Sequence, residues 1–245
     1  MTEFGQQEAL RGIVPFYQVV LNLSGASDNP VELEGEAMDM FVGKTRVAEK
    51  DSLSGRMEIS ARLVLAYYFE NWELCEELLP LVAGKYAPAK AHYSAFQLAF
   101  SSGMANWELY RQQRKPKFKR KAEALVKRMS GWVDQGSVNC RPSLLLMEAE
   151  GKAVTGAPKT AVIKAFDAAA RSTKEMRLLQ QEGIAYEMGA KYLKGQDDEL
   201  WRRSAGKALK IYYTWGAMAK VQAVEESLGL TIEELIASTS SQQLS

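Results

Sequence analysis

Residues 61 to 82 read ARLVLAYYFENWELCEELLPLV. Leu63, Leu65, Ala66, Tyr68, Phe69, Trp72, Leu74, Cys75, Leu78 and Leu79 recur at three- and four-residue intervals, the period that lines side chains along one face of an α-helix. Alternation of period two, which a half-buried strand requires, is almost absent here and elsewhere. Ala, Leu, Glu, Lys and Met, all good helix formers, fill the segments between glycines. The fold class read from this pattern is all-α, with about eleven helices.

Start and stop signals divide the chain. Asn29-Pro30-Val31-Glu32 has a capping residue, a proline at the first helical position and an early glutamate, so a helix is expected from about 30 to 50. Thr231 to Glu234 has capping-box spacing before a short final helix and tail over 231–245. Gly156 with Pro158, and Gly195-Gln196-Asp197, are short breaks between helical segments, and a long helix is expected to begin near Asp198. Connections this short predict antiparallel helix pairs.

In the C-terminal half Phe166 and Ala169 precede Ala205 and Ala208 by 39 residues each. Small residues at matched positions let helices approach closely, as in stacked helix-turn-helix repeats. The expectation is a single helical-repeat domain over 1–245, an irregular tetratricopeptide-like α-solenoid.

The stretch IYYTWGAMAKV (211–221) brings two tyrosines and a tryptophan together. On a helix, Leu209, Tyr212, Gly216 and Ala219 form one stripe flanked by Tyr213 and Trp215, which reads as a packed structural face with Gly216 marking a close helix approach. This helix is expected to be the longest.

Composition is ordinary for a chain with a substantial core: 47% hydrophobic and 25% charged residues in 245. The longest apolar stretch, Ile13 to Leu23, is interrupted by Gln18 and Asn22 and is too short for a membrane span. With no basic start before that stretch, the chain reads as intracellular and cytoplasmic, without membrane insertion. Cys75 and Cys140 alone can build neither a disulfide framework nor a zinc cluster, and are expected to be reduced core residues.

The net charge of +1 conceals an uneven distribution. Residues 1–110 carry 8 basic and 15 acidic side chains, whereas RQQRKPKFKRKAEALVKR (111–128) carries 9 and 1. Arg111, Arg114, Lys115, Lys117, Lys119, Arg120 and Lys121 form a candidate interaction patch. Such a run can neutralise phosphates, but a pI near 7.7 argues against a dedicated nucleic-acid binder, and the acidic N-terminal third offers an internal counter-surface. The alternative reading is a solvated loop leading into a helix, broken at Pro116.

Four segments, PSLLLMEAEGKAVTG (142–156), AFDAAARSTKE (165–175), QQEGIAYEMGAKYL (180–193) and ALKIYYTWGAMAKVQAVEE (208–226), carry a resemblance in their order and spacing. They resemble the helical-repeat region of large AAA-ATPase-containing serine/threonine kinases and hybrid histidine kinases. The resemblance is strongest over 114–226, weaker over about 40–112 and absent at both ends. It implies a tetratricopeptide-like region between regulatory and output modules, with flanking domains or another protein as partner.

Output chemistry is not carried over. The chain has no GxxxxGK[ST] loop, kinase glycine loop, HRD or DFG. His92, the sole histidine, sits in AKAHYSAFQLAF beside aromatics rather than acids, and reads as a packed or surface residue. Asp197-Asp198-Glu199 opens a helix, where carboxylates complement the dipole. Glu148 and Glu150 point in different directions and form no catalytic pair. No catalytic, cofactor or metal residues are assigned. The leading expectation is a non-catalytic interaction or scaffold module of signalling type. The first alternative is a small-molecule sensor with an inter-helix pocket lined by aromatics such as Tyr67, Tyr68, Trp72 or Trp215. The second is nucleic-acid binding through 111–128.

Overall fold

A computed structural model describes residues 3–42, 53–82 and 93–233, and every regular element among them is helical. There are eleven α-helices in the described residues: α1 (Glu3–Ser24), α2 (Glu36–Val42), α3 (Leu53–Tyr68), α4 (Trp72–Val82), α5 (Tyr93–Gln113), α6 (Pro116–Asp134), α7 (Arg141–Thr155), α8 (Lys159–Glu175), α9 (Leu179–Leu193), α10 (Asp198–Trp215) and α11 (Met218–Leu228). A single 3-10 turn, Val138–Cys140, leads into α7. His92 lies outside the described residues.

Four hairpins follow in chain order, α3 with α4, α5 with α6, α7 with α8 and α9 with α10. Their turns of two to four residues force each pair antiparallel. The first helices of the hairpins, α3, α5, α7 and α9, also touch one another in that order, and α11 turns back to pack on α1, which in turn lies on α3. Left-handed backbone ends most of these helices. Gly156 stops α7 with φ 80°, while α3 and α5 are followed by Glu70 and Arg114 at φ 58° and 54°, a conformation that costs a residue with a Cβ. Two residues after Arg114, Pro116 occupies the first turn of α6, where its missing N–H leaves nothing unsatisfied. Residues 116–134 are thus helix rather than loop.

The helix expected from Asn29 begins instead at Glu36. The polar residues that interrupt the N-terminal apolar stretch explain why. Asn22 is fully buried and donates to the Glu32 carbonyl at 2.6 Å and the Pro30 carbonyl at 3.1 Å, holding the intervening chain as an irregular loop. Asn29 caps nothing longer than its own turn, its Oδ1 accepting from the Val31 N–H. Gln18 Oε1 takes the role assigned to Asn29, accepting from the Ala37 N–H at 3.0 Å at the start of α2. Residues 43–50 of that expected helix, and Glu234 of the final one, lie outside the described residues.

Two features of the aromatic helix also differ from expectation. At 18 residues α10 is shorter than α1 and α5, of 22 and 21 residues. Gly216 does not lie inside it but terminates it in left-handed conformation, φ 84°, and a Cβ there would meet nothing. The close approach occurs one helix away, at Gly183 of α9. A Cβ at that position would fall 2.5 Å from the Tyr212 ring, so the glycine is what lets α10 seat its tyrosine. Tyr212 is fully buried, Trp215 half-buried and Tyr213 exposed.

Apolar packing is continuous from Val19 on α1 through Leu63, Phe100, Met147 and Ile184 to Ala217, with a second cluster around Leu209 and Tyr212. Phe166, Ala169, Ala205 and Ala208, paired by the 39-residue spacing, are all buried. Cys75 and Cys140 are free and buried, and burial pushes the Cys75 thiol up to about 12.

Candidate functional site

Three charged residues sit on stripes that are otherwise apolar. Glu187 of α9 follows Ile184, Lys220 of α11 lies between Ala217 and Val224, and Glu150 of α7 lies between Leu146 and Val154. The exposures of these charged residues are 1%, 3% and 2%. A buried charge costs several kcal/mol unless paired and hydrogen-bonded, so where each finds its partners decides what the region can do.

Glu187 is saturated. Its Oε1 accepts from Lys220 Nζ at 2.8 Å and Lys191 Nζ at 2.7 Å, and its Oε2 accepts from the Tyr212 hydroxyl at 2.7 Å. Lys220 also donates to the Tyr68 carbonyl at 2.6 Å, satisfying a C-terminal carbonyl of α3 that has no partner within the helix. One lysine therefore ties α11 to both α9 and α3. Burial, and after it the charge of Glu187, pushes the Tyr212 hydroxyl well above its ordinary value, so it remains a neutral donor. Lys191 pairs on its other side with Glu70. Burial, then the like charges of Lys220 and Lys194, lower the Lys191 ammonium.

Glu150 is held differently. Among the described residues only Arg111 of α5 pairs with it, and the same guanidinium pairs with Glu108 at 2.6 Å. Burial raises the Glu150 carboxyl despite the opposing effect of Arg111. Between the two polar groups lies a recess of about 370 Å³, counting its open mouth. Its walls include Tyr67, Trp72, Met104 and Met188, with Glu70, Glu108, Arg111, Glu150 and Lys191 as its charged lining. Tyr67 is 5% exposed and its hydroxyl has no hydrogen-bond partner among the described residues. Burial first, then Glu187, raises its pKa.

A wider groove of about 720 Å³, also open to solvent, runs over α9 between α8 and α10. Phe166, Tyr186, Gly189 and Tyr192 form its apolar part, and Asp167, Arg203 and Lys207 stand along its edges. Neither Arg203 nor Lys207 has a carboxylate within ion-pairing distance among the described residues; Lys207 instead lies over the Tyr186 ring, 4.7 Å from its centroid. Burial raises the Tyr186 hydroxyl, with Glu182 and Asp167 adding to the effect.

The basic segment does not act as one patch. Arg111 is turned toward Glu150, Arg114 donates to the Val154 carbonyl at 3.2 Å, and Lys117 pairs with Glu76 at 3.2 Å, so the acidic N-terminal third supplies part of the counter-surface. Lys119 lies 3.8 Å from Glu123, while Lys115, Arg120 and Lys121 are exposed. Of the aromatics named for a pocket, Tyr67 and Trp72 do line the recess; Tyr68 lines a smaller adjoining cleft, and Trp215 packs against Tyr68 at 6.2 Å.

Sequence reading missed Glu187, Lys191 and Lys220 as a connected set, and the pairing of Glu150 with Arg111. Their one signal is a charged residue on an apolar stripe, which identifies burial but not a partner on another helix.

Among the described residues no cluster of His, Cys, Asp and Glu is arranged to hold a metal ion, and no helix is long and apolar enough to cross a membrane. Compared with family models, curated proteins and solved structures, the chain matches none.

Proposed function

We propose that the chain is a non-catalytic helical-repeat module of signalling type, whose groove between α8 and α10 receives an extended, acid-bearing segment of another protein or of a flanking part of a larger chain. The observation that carries this reading is the pair of cations on α10, Arg203 and Lys207, exposed beside an apolar trough and without carboxylate partners among the described residues. Both cations are exposed and form no ion pair among the described residues, and aromatic rings flanked by such cations suit a peptide with alternating apolar and acidic side chains.

The repeat reading has its own support. Polar contacts between successive hairpins recur at similar separations: Gln113 to Glu76, 37 residues apart, Arg111 to Glu150, 39, Arg114 to Val154, 40, and Lys159 to Asp197, 38. A stack of equivalent units makes its inter-unit contacts one repeat length apart.

The test is selection from a displayed random peptide library. Peptides with acidic and aromatic or aliphatic residues are expected, and the double variant Arg203→Glu with Lys207→Glu should weaken their binding by at least about tenfold, the loss of one or two charge-assisted contacts. Selected peptides that are basic, or that bind the double variant equally well, would refute the groove as the recognition surface.

A further inference from the structure

We infer that the recess between α3, α5, α7 and α9 is a binding site for a small organic cation, a primary ammonium group seated between carboxylates and an aromatic corner.

The charges at the recess do not balance. Glu70, Glu108 and Glu150 line it against Arg111 and Lys191, and behind it Glu187 and Lys220 cancel. One carboxylate more than the cations require faces a pocket walled by low-dielectric side chains, and a cation entering there completes the count. An anion fits poorly. Both basic residues are already engaged twice, Arg111 by Glu108 and Glu150, Lys191 by Glu70 and Glu187, so an anion would have to displace carboxylates to reach them.

The Tyr67 hydroxyl points independently to a ligand. Tyr67 lines the recess, its hydroxyl is buried and within electrostatic reach of Glu150 and Glu187, and no group among the described residues bonds to it. Buried hydroxyls are nearly always satisfied, because leaving one unpaired costs the desolvation of the group. An ammonium has three N–H donors, enough for the hydroxyl oxygen and two carboxylates. The Tyr67 and Trp72 rings stand 6.2 Å apart at 64°, forming a corner whose faces favour a cation. Met104 and Met188 supply apolar walls for the carbon attached to that nitrogen.

Backbone geometry fits the same assignment. Glu70 is held at φ 58°, a conformation unfavourable for a residue with a Cβ, and its half-buried carboxylate is thereby placed in the lining. Strain of this kind persists where a side chain must be positioned.

The experiment uses n-butylammonium chloride as the probe, with sodium butyrate and sodium chloride at equal ionic strength as matched arms. Binding is followed by the melting temperature and by tryptophan fluorescence, to which Trp72 contributes. The ammonium should raise the melting temperature in a saturable way and butyrate should not exceed the salt control. Tyr67→Phe and Glu70→Gln should each weaken the ammonium about tenfold, as expected for a lost charge-assisted contact. Tyr67→Phe removes a hydroxyl with no partner among the described residues, so its melting temperature without probe should equal or exceed that of the unsubstituted protein, which separates loss of binding from loss of fold. A response equal to that of sodium chloride, an equal response to butyrate, or unchanged ammonium binding in both variants would overturn the assignment.

Discussion

Glu187 and Glu150 are almost equally buried and belong to the first helices of successive hairpins, yet the protein treats them in opposite ways. Glu187 has a donor on each oxygen and a third besides, drawn from α9, α10 and α11. Glu150 has one guanidinium, shared with a second carboxylate, and an unpartnered tyrosine hydroxyl in its vicinity. The first arrangement is a lock; it has no capacity left for anything else. The second leaves hydrogen-bonding capacity beside a recess, and unspent capacity of this kind is what recognition requires.

The contrast predicts that stability separates the two sites. Glu187→Ala leaves Lys220 buried beside only the Tyr68 carbonyl and frees the Tyr212 hydroxyl, so it should lower unfolding free energy by about 3–5 kcal/mol in urea titrations. A loss near 1 kcal/mol would mean that Glu187 is no lock. Tyr212→Phe tests one arm of it. Removing a hydrogen bond to a buried charge should cost about 1.5–3 kcal/mol in the same titration.

Glu150 should show itself in pH dependence. Its carboxyl is raised above the ordinary value of 4.5, so the folded state holds the proton more tightly than the unfolded chain. The stabilisation from that proton is complete below the unfolded value and is lost as pH rises through the folded one. Stability curves of the unsubstituted protein and Glu150→Gln, measured from pH 4 upward (about the unfolded value), should therefore diverge, the variant lacking this decline. Parallel curves would show that Arg111 fully compensates the burial. Tyr67→Phe should have the smallest effect, between neutral and about 1 kcal/mol stabilising, because no protein hydrogen bond is lost and one unpaired hydroxyl is removed. Destabilisation as large as that of Tyr212→Phe would place the two tyrosines in the same role and erase the contrast.

The helices were readable from periodicity because an apolar stripe is a local property: every residue needed to recognise α3 or α10 lies within a few turns. Turn chemistry was readable where it too was local. Asp197 accepts from the Leu200 N–H at the start of α10, within the acidic stretch read as opening that helix. The misreadings share a cause. Asn29 looked like a cap, but Asn22, seven residues upstream, captured the chain around it; Gly216 looked like a point of close helix approach, but that approach occurs at Gly183 of another helix, against the Tyr212 ring.

From its own residues the chain determines which segments are helical, that they form short-linked pairs, and that a large apolar interior must result, since these follow from period, capping and composition. Tertiary structure alone decides that Lys220 meets the Tyr68 carbonyl across 152 residues, that Glu187 is saturated while Glu150 is not, and that Tyr67 closes a recess without a partner of its own. The physical reason is range. Helix formation is governed by neighbours three and four residues apart, whereas the worth of a buried charge depends on partners that only the packing of several helices brings together.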